Sequence, residues 1–175
     1  MTAHPLARRI VKAGHPALSR IADPIPDPTD PKVAALVLEM IDSLAESGGI
    51  GLAAPQIGES VRLVIYSVPA SRVEREEEAQ PMTVLVNPVL TPLGSEVSVG
   101  WEGCLSMPGL RGLVPRHDRL HLSWQTLEGE WHERELVGYH ARVVQHECDH
   151  LEGRLYPTRM TDLSQLVYLD EMGND

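Results

Sequence analysis

Apolar residues first recur at helical spacing near the start of the chain, at Val33, Leu36, Val37, Met40, Ile41 and Leu44. This spacing puts them on one face of an α-helix. Asp30 and Pro31 supply an N-cap and a first helical position, and Gly48 lies where such a helix would end. We therefore predict a helix that begins at Pro31, ends before Gly48 and buries one face.

The middle of the chain changes to short β-branched and apolar runs bounded by Gly or Pro, which is typical of strands. Five strands are predicted, over residues 61–68, 83–90, 95–101, 120–126 and 130–137, with Gly129 in a hairpin turn between the last two. A second helix is predicted over 139–152, ending at Gly153, and a short third helix over 162–172. Because the strands are grouped between helices, we expect an α+β fold.

Composition limits the class of protein. The chain has 175 residues, of which 42% are apolar and 23% charged, so we expect one domain, 1–175, around one core. Its 25 acidic and 15 basic residues give a net charge of −10, which argues against direct nucleic-acid binding. No apolar run approaches the ~18 residues of a membrane span, and we expect a cytoplasmic protein without membrane attachment. The acidic run at 74–78 is predicted to be a solvated loop.

Candidate chemistry lies on the second predicted helix. His146, Glu147 and His150 fit the pattern H-E-x-x-H. Residues four apart on a helix share a face, so both imidazoles can bind one metal ion with Glu147 beside it. Tyr139 and Val143 lie on the same stripe, and we expect this face to point inward.

A catalytic metal ion needs a third protein ligand and an open position. A metzincin-like third ligand fails, because Tyr156 stands where the last His of that pattern should be. Asp170 and Glu171, about twenty residues after the motif, have the spacing of a thermolysin-like ligand. Cys104 is a further candidate. From the residues alone these last two alternatives stay open, as does a non-enzymatic module in which the metal is only structural.

Three segments, taken together, resemble the motifs of peptide deformylases in order and spacing. They are residues 49–56 (G-I-G-L-A-A-P-Q), 102–106 (E-G-C-L-S) and 145–150 (Q-H-E-C-D-H). The resemblance covers about residues 10–160, and residues 139–145 (Y-H-A-R-V-V-Q) resemble the mitochondrial-type branch, which also occurs in bacteria. It implies a metal-dependent hydrolase that removes the N-formyl group from the formyl-methionine of nascent polypeptides and releases formate.

The resemblance also implies a metal site. Cys104, His146 and His150 would hold one divalent ion, with Fe(II) as the expected physiological metal and Zn(II), Ni(II) or Co(II) as replacements. Glu147 would transfer protons. The implied fold has small antiparallel or mixed sheets packed around a central metal-binding H-E-x-x-H helix.

The remaining implied roles concern the substrate. Gln56 and the backbone N–H of Leu105 would stabilise the developing oxyanion. An extended N-formylmethionyl peptide would pair with Ile50, Gly51 and Gly103. From their place on the His146 stripe, we predict that Tyr139 and Val143 form a wall of the methionine pocket, with Ile50 on the opposite side. A transient association with ribosomes is expected for such an enzyme. Arg116 is predicted to bind substrate or, with preference, to pair with a carboxylate.

Overall fold

The computed structural model describes residues 5–73 and 79–173, so the acidic run at 74–78 lies outside the described residues. Two helices and eight strands form within this part of the chain: α1 (Pro31–Ser47), β1 (Gly51–Ala53), β2 (Leu63–Val68), β3 (Gln80–Pro92), β4 (Val97–Cys104), β5 (Met107–His117), β6 (Arg119–Gln125), β7 (Trp131–Val137), α2 (Gly138–Leu151) and β8 (Val167–Tyr168). No helix among the described residues is long and apolar enough to cross a membrane.

Helix α1 has the predicted ends. The Asp30 side chain accepts a hydrogen bond from the backbone N–H of Lys32 at 2.9 Å, and Pro31 occupies the first helical position. Gly48 ends the helix in the left-handed conformation, with φ of +68°. The sequence prediction for this element is therefore confirmed.

The strands form two antiparallel sheets. One has the order β1-β2-β3-β6-β7 and the other the order β4-β5-β8. The larger sheet is covered on both faces, as the inner strand β2 shows: Leu63 and Ile65 belong to the core cluster of α1, whereas Val64 and Tyr66 belong to that of α2. The fold is a mixture of helices and antiparallel sheets, as expected for the α+β class.

Helix α2 lies between the two sheets and is fixed at its C-terminal end and near its middle. It ends before Gly153, whose φ is +65° and where an added Cβ would lie 2.8 Å from the carbonyl carbon of Ser19. Near its middle, the Gln145 amide pairs with the backbone of His117 in β5, accepting from N–H at 3.1 Å and donating to the carbonyl at 2.9 Å. The Gln145 pair holds α2 against the smaller sheet.

The predicted third helix over 162–172 is wrong. That segment contains the two-residue strand β8 between single 3-10 turns. Strand β8 pairs with β5, with Tyr168 opposite Leu110 and Val167 opposite Arg111. The apolar residues of this segment have helical spacing, but pairing of β8 with β5, which is distant in sequence, determines the structure. Strands β1, β5 and β8 were not among the five predicted.

Candidate active site

Helix α2 and the end of β4 bring three metal-binding side chains together. The ligand atoms of Cys104, His146 and His150 all lie within 4.8 Å of one another. The Cys104 Sγ is 3.4 Å from the Nε2 of His150, and the two imidazole rings are nearly perpendicular, at 82°. Asp170 and Glu171 are exposed after β8 and do not belong to this cluster.

The surroundings of His146 suit a cation. Its Nδ1 donates to the Glu102 carboxylate at 2.8 Å, which leaves Nε2 to face the cluster. Burial alone would lower the pKa of His146, but Cys104 and Glu102 hold it well above its usual value. The pKa of Glu102, which burial alone would raise, is lowered to about 2 by His146 and Arg116. A buried site that favours positive charge and offers thiol and imidazole ligands fits a divalent transition metal.

Glu102 is the centre of a buried ion-pair network. Arg116 donates to both carboxylate oxygens of Glu102, from Nε and Nη2 at 2.9 Å each, and from Nη1 to Asp149 at 2.6 Å. Arg142 donates to the same carboxylate at 2.9 Å. Arg116 is buried and pairs with two carboxylates, which is the preferred of the two roles predicted for it.

Glu147 is a buried carboxyl group with one uncommitted oxygen. Its Oε2 has no hydrogen-bond partner among the described residues. Burial raises the pKa of Glu147 to about 7. Gly51 packs directly on this side chain, since a Cβ at residue 51 would lie 2.6 Å from the Glu147 Cδ. A carboxyl group with such a pKa can both accept and release a proton near neutral pH.

Gln56 is buried and held in one orientation. Its Oε1 accepts from the backbone N–H of Ala53 at 2.9 Å. Its Nε2 therefore points the other way, towards the Ser106 hydroxyl at 3.3 Å and the Cys104 Sγ at 3.5 Å. The amide is aimed at the cluster as a hydrogen-bond donor.

A cavity of about 420 Å³ opens beside the cluster. It is lined by residues that the sequence analysis assigned to substrate or oxyanion, namely Ile50, Gly51, Gln56, Gly103, Leu105, Tyr139 and Val143. Val143 also belongs to the core cluster, and Tyr139 packs against it. A side chain at residue 103 would also clash with Arg111, because an added Cβ would lie 2.7 Å from the Arg111 Cζ.

Three contributors were missed by sequence reasoning. Arg142 donates to the backbone carbonyl of Val114 at 2.8 Å as well as to Glu102. The ring of Tyr156 stacks on His146 with centroids 6.2 Å apart. The third is Glu102. The sequence held a signal for two of the three residues: Arg142 lies one turn before His146 on the same helix face, and Glu102 lies in the E-G-C-L-S motif.

An H-E-x-x-H pair on a buried helix, with a third candidate ligand from another element and a cavity beside it, is typical of metal-dependent hydrolases. A sequence profile described as polypeptide deformylase matches residues 7–166. The chain belongs to the polypeptide deformylase family, which is metal-dependent.

Individual relatives agree with this assignment. The chain is 49% identical to peptide deformylase 1 of Bordetella pertussis over 161 residues, which is 92% of each chain. It superposes on the Met-Ala-Ser-bound class I type b peptide deformylase of Acinetobacter baumannii with a TM-score of 0.79 and 36% identity, covering 88% of this chain and 98% of that one. For the Thermotoga maritima peptide deformylase the TM-score is 0.79 and the identity 33%, with 89% and 99% covered.

Proposed function

We propose that Cys104, His146 and His150 hold one divalent metal ion in this deformylase, and that Glu147 transfers the protons of the reaction. The reaction is that of the family, hydrolysis of the N-formyl group of nascent polypeptides with release of formate. The observation that carries the residue assignment is the cluster of ligand atoms within 4.8 Å beside a buried carboxyl oxygen that lacks a partner. Residues 1–175 would form one catalytic domain with α2 at its centre.

The thiol and imidazole donors favour a divalent metal ion of intermediate softness. One thiolate and two imidazoles suit Fe(II), Zn(II), Ni(II) or Co(II), and we take Fe(II) as the physiological ion from the resemblance to the family. When bound, such an ion supplies Lewis acidity and lowers the pKa of water towards neutrality.

The protein residues supply the proton transfers and the charge stabilisation. Glu147 accepts a proton from the attacking water and later delivers it to the amine nitrogen as the bond from the formyl carbon to that nitrogen breaks. The formyl oxygen gains negative charge earlier, when the water oxygen bonds to the formyl carbon, and loses it when the bond to nitrogen breaks. The Nε2 of Gln56, fixed by the Ala53 contact, and the backbone N–H of Leu105 are the proposed donors to that oxygen.

The substrate would bind as an extended chain. Strand β1 lies at one edge of the larger sheet, paired on one side with β2, and its residue Gly51 lines the cavity. An extended peptide can hydrogen-bond to such an edge. Tyr139 and Val143, with Ile50, are the proposed walls for the methionine side chain. The Met-Ala-Ser complex of the Acinetobacter baumannii relative supports a methionine-first peptide as the occupant.

Formate release tests this function directly. The metal-loaded protein should produce formate and Met-Ala-Ser in equal amounts from formyl-Met-Ala-Ser. Acetyl-Met-Ala-Ser is the matched control, because the extra methyl group would crowd the acyl site. Removal of the metal with a chelator should abolish formate release and re-addition should restore it. Absence of formate from a folded, metal-loaded protein would overturn the proposal.

Because the substrates are nascent chains, we also propose a cytoplasmic location and a transient association with ribosomes. Cosedimentation with translating ribosomes in buffers of low and moderate salt tests this association. Recovery of the protein only in the supernatant under both conditions would contradict it.

A further inference from the structure

An N-terminal arm, which we define as residues 6–13, precedes the first turn of the chain and contains neither helix nor strand. Its backbone first contacts α1. The N–H of Leu6 donates to the Asp42 carboxylate at 3.1 Å, and the N–H of Arg8 donates to the Ser43 hydroxyl at 2.8 Å. Beyond Arg8 the arm leaves α1 and reaches the candidate active site.

The last part of the arm binds the two segments that carry the proposed oxyanion donors. The N–H of Val11 donates to the backbone carbonyl of Gln56 at 2.8 Å, and the N–H of Ala13 donates to that of Ser106 at 2.9 Å. Gln56 lies in the 3-10 turn that follows β1. Ser106 follows Leu105 in the two-residue loop between β4 and β5, where Cys104 pairs with Met107. The arm therefore connects the larger sheet to the smaller one at the site.

The two proposed donors need such a connection because they belong to different sheets. Stabilisation of an oxyanion requires donors that are already in place when the negative charge develops. The side chain of Gln56 reaches the β4–β5 loop through its Nε2, which is 3.3 Å from the Ser106 hydroxyl and thus makes only a long hydrogen bond. The two backbone contacts of the arm are shorter and act on the main chain of both segments.

We propose that the backbone N–H groups of Val11 and Ala13 position the donors Gln56 and Leu105 relative to each other. The proposal rests on the proposed function, which assigns these two donors to the formyl oxygen. Val11 and Ala13 are positioning residues, because they act through the segments that they hold. Loss of either N–H should therefore slow the chemical step and leave substrate binding and metal binding as they are.

The backbone at residue 13 allows the N–H to be removed without changing the local conformation. The N–H of His15 donates to the carbonyl of Lys12 at 3.0 Å, and Gly14 has a φ of +101°. This is the pattern of a type II turn with Ala13 at its second position, where proline is favoured. Ala13→Pro should keep the turn and lose the hydrogen bond to the β4–β5 loop. Ala13→Ser is the matched control, because it retains the N–H and changes only an exposed side chain.

Kinetics of the metal-loaded protein with formyl-Met-Ala-Ser test the role of Ala13. Loss of an oxyanion donor costs about 10²–10³-fold in kcat, and displacement of a donor costs less, so Ala13→Pro should lower kcat by about threefold to thirtyfold. The parent KM and metal content should remain, so that kcat/KM falls by the same factor as kcat, as expected for an interaction made in the transition state. A lower melting temperature with the parent kcat would show a merely structural role and overturn the proposal.

Amide-to-ester replacement provides a second route that introduces no proline ring. Lactic acid at residue 13, or the α-hydroxy acid counterpart of valine at residue 11, removes only the N–H. The ester at residue 13 should lower kcat as Ala13→Pro does, and it keeps the test open if the proline variant does not fold.

The ester at residue 11 also shows whether the arm acts through Gln56. It should lower kcat in the parent, but in Gln56→Leu it should change kcat by less than about twofold, because the side chain that it positions is already gone. The same loss of kcat in both backgrounds would show that Val11 does not act through Gln56 and would overturn the proposal.

Failure of the arm's role is distinguishable from failure of the proposed function. A parent-like kcat in Ala13→Pro and in both esters, beside an impaired Gln56→Leu, would overturn the role of the arm alone. A parent-like kcat in Gln56→Leu would overturn the assignment of Gln56 as an oxyanion donor, and with it the positioning of that donor by the arm. Absence of formate from the folded, metal-loaded parent would overturn the proposed function itself.

Discussion

The Nδ1 of His146 donates a hydrogen bond to the carboxylate of Glu102 at 2.8 Å, and this contact joins the candidate metal cluster to the buried network behind it. The bond fixes the ring orientation and the tautomer that presents Nε2 to the cluster. Arg116 and Arg142 also donate to the Glu102 carboxylate and hold it in place.

Replacing Glu102 with Gln should weaken metal binding without removing a ligand. The amide has no negative charge to balance the two arginines or to orient His146. Loss of an outer-shell partner typically costs about 10–100-fold in metal affinity, and we expect a loss of that order in a competition titration with a chelator. Glu135→Gln is the control, because its exposed pair with Arg119 lies outside the network. Equal affinities for the two variants would show that Glu102 does not support the site.

Gly51→Ala should impair catalysis and leave the metal bound. The new Cβ would lie 2.6 Å from the Glu147 Cδ, so that carboxyl group has to move. General acid–base catalysis contributes about 10²–10⁴-fold, and its misplacement should lower kcat about tenfold or more. Formate release and metal content are measured together. Gly173→Ala, where an added Cβ meets nothing within 4 Å, should behave as the parent. A parent-like kcat for Gly51→Ala would mean that Glu147 tolerates displacement.

Cys104→Asp should still bind a divalent ion but work poorly. A carboxylate can replace the thiolate as an anionic ligand, yet it is harder and shorter, which changes the geometry and the acidity of the site. Metal affinity and formate release should both fall. Ser106→Ala tests whether the neighbouring hydroxyl contributes, and it should retain the metal. Unaltered affinity and activity in Cys104→Asp would exclude Cys104 as the third ligand.

His140 should make stability depend on pH below neutrality. Burial, with the charge of Arg134 acting in the same direction, lowers the pKa of His140 to about 4, whereas an unfolded histidine titrates near 6.5. The unfolded chain therefore binds the proton first as the pH falls. This contribution to stability is complete above about pH 6.5 and is lost towards pH 4.

Denaturant unfolding of His140→Asn at several pH values measures this effect. The variant should lose less stability than the parent between pH 6.5 and pH 4.5, by on the order of 1 kcal/mol after allowance for solvent screening. The exposed His132 provides the control variant His132→Asn, which should follow the parent. Parallel curves for the parent and His140→Asn would contradict the assignment.

Sequence reasoning located the elements that carry strong local signals. The Asp30 cap and the Gly48 stop predicted α1, and Gly153 predicted the end of α2. Strand β5 escaped prediction because Pro108 and Pro115 interrupt its apolar pattern, and it is defined by pairing with β4. Strand β8 escaped because two residues carry no periodicity.

The site residues also fall into two groups, those with a local sequence signal and those brought together only by the fold. The spacing of His146 and His150 on one helix is a local signal, whereas Cys104 entered through its motif, more than forty residues upstream. The network of Arg116 and Arg142 around Glu102 was not predicted, since it depends on how β4, β5 and α2 pack. Only the folded chain brings these three elements together.

Glu147 carries every proton transfer of the proposed mechanism, and Glu147→Gln tests this role most directly. The measurement is formate release from formyl-Met-Ala-Ser together with the metal content of the same sample. Glu152→Gln, a change just beyond the end of α2 in an exposed pair with Arg62, is the control and should match the parent. For Glu147→Gln we predict the parent metal content and a rate lower by about 10²–10⁴-fold, because the amide cannot accept a proton at neutral pH. Near-parental turnover in a metal-replete Glu147→Gln protein would contradict this mechanism.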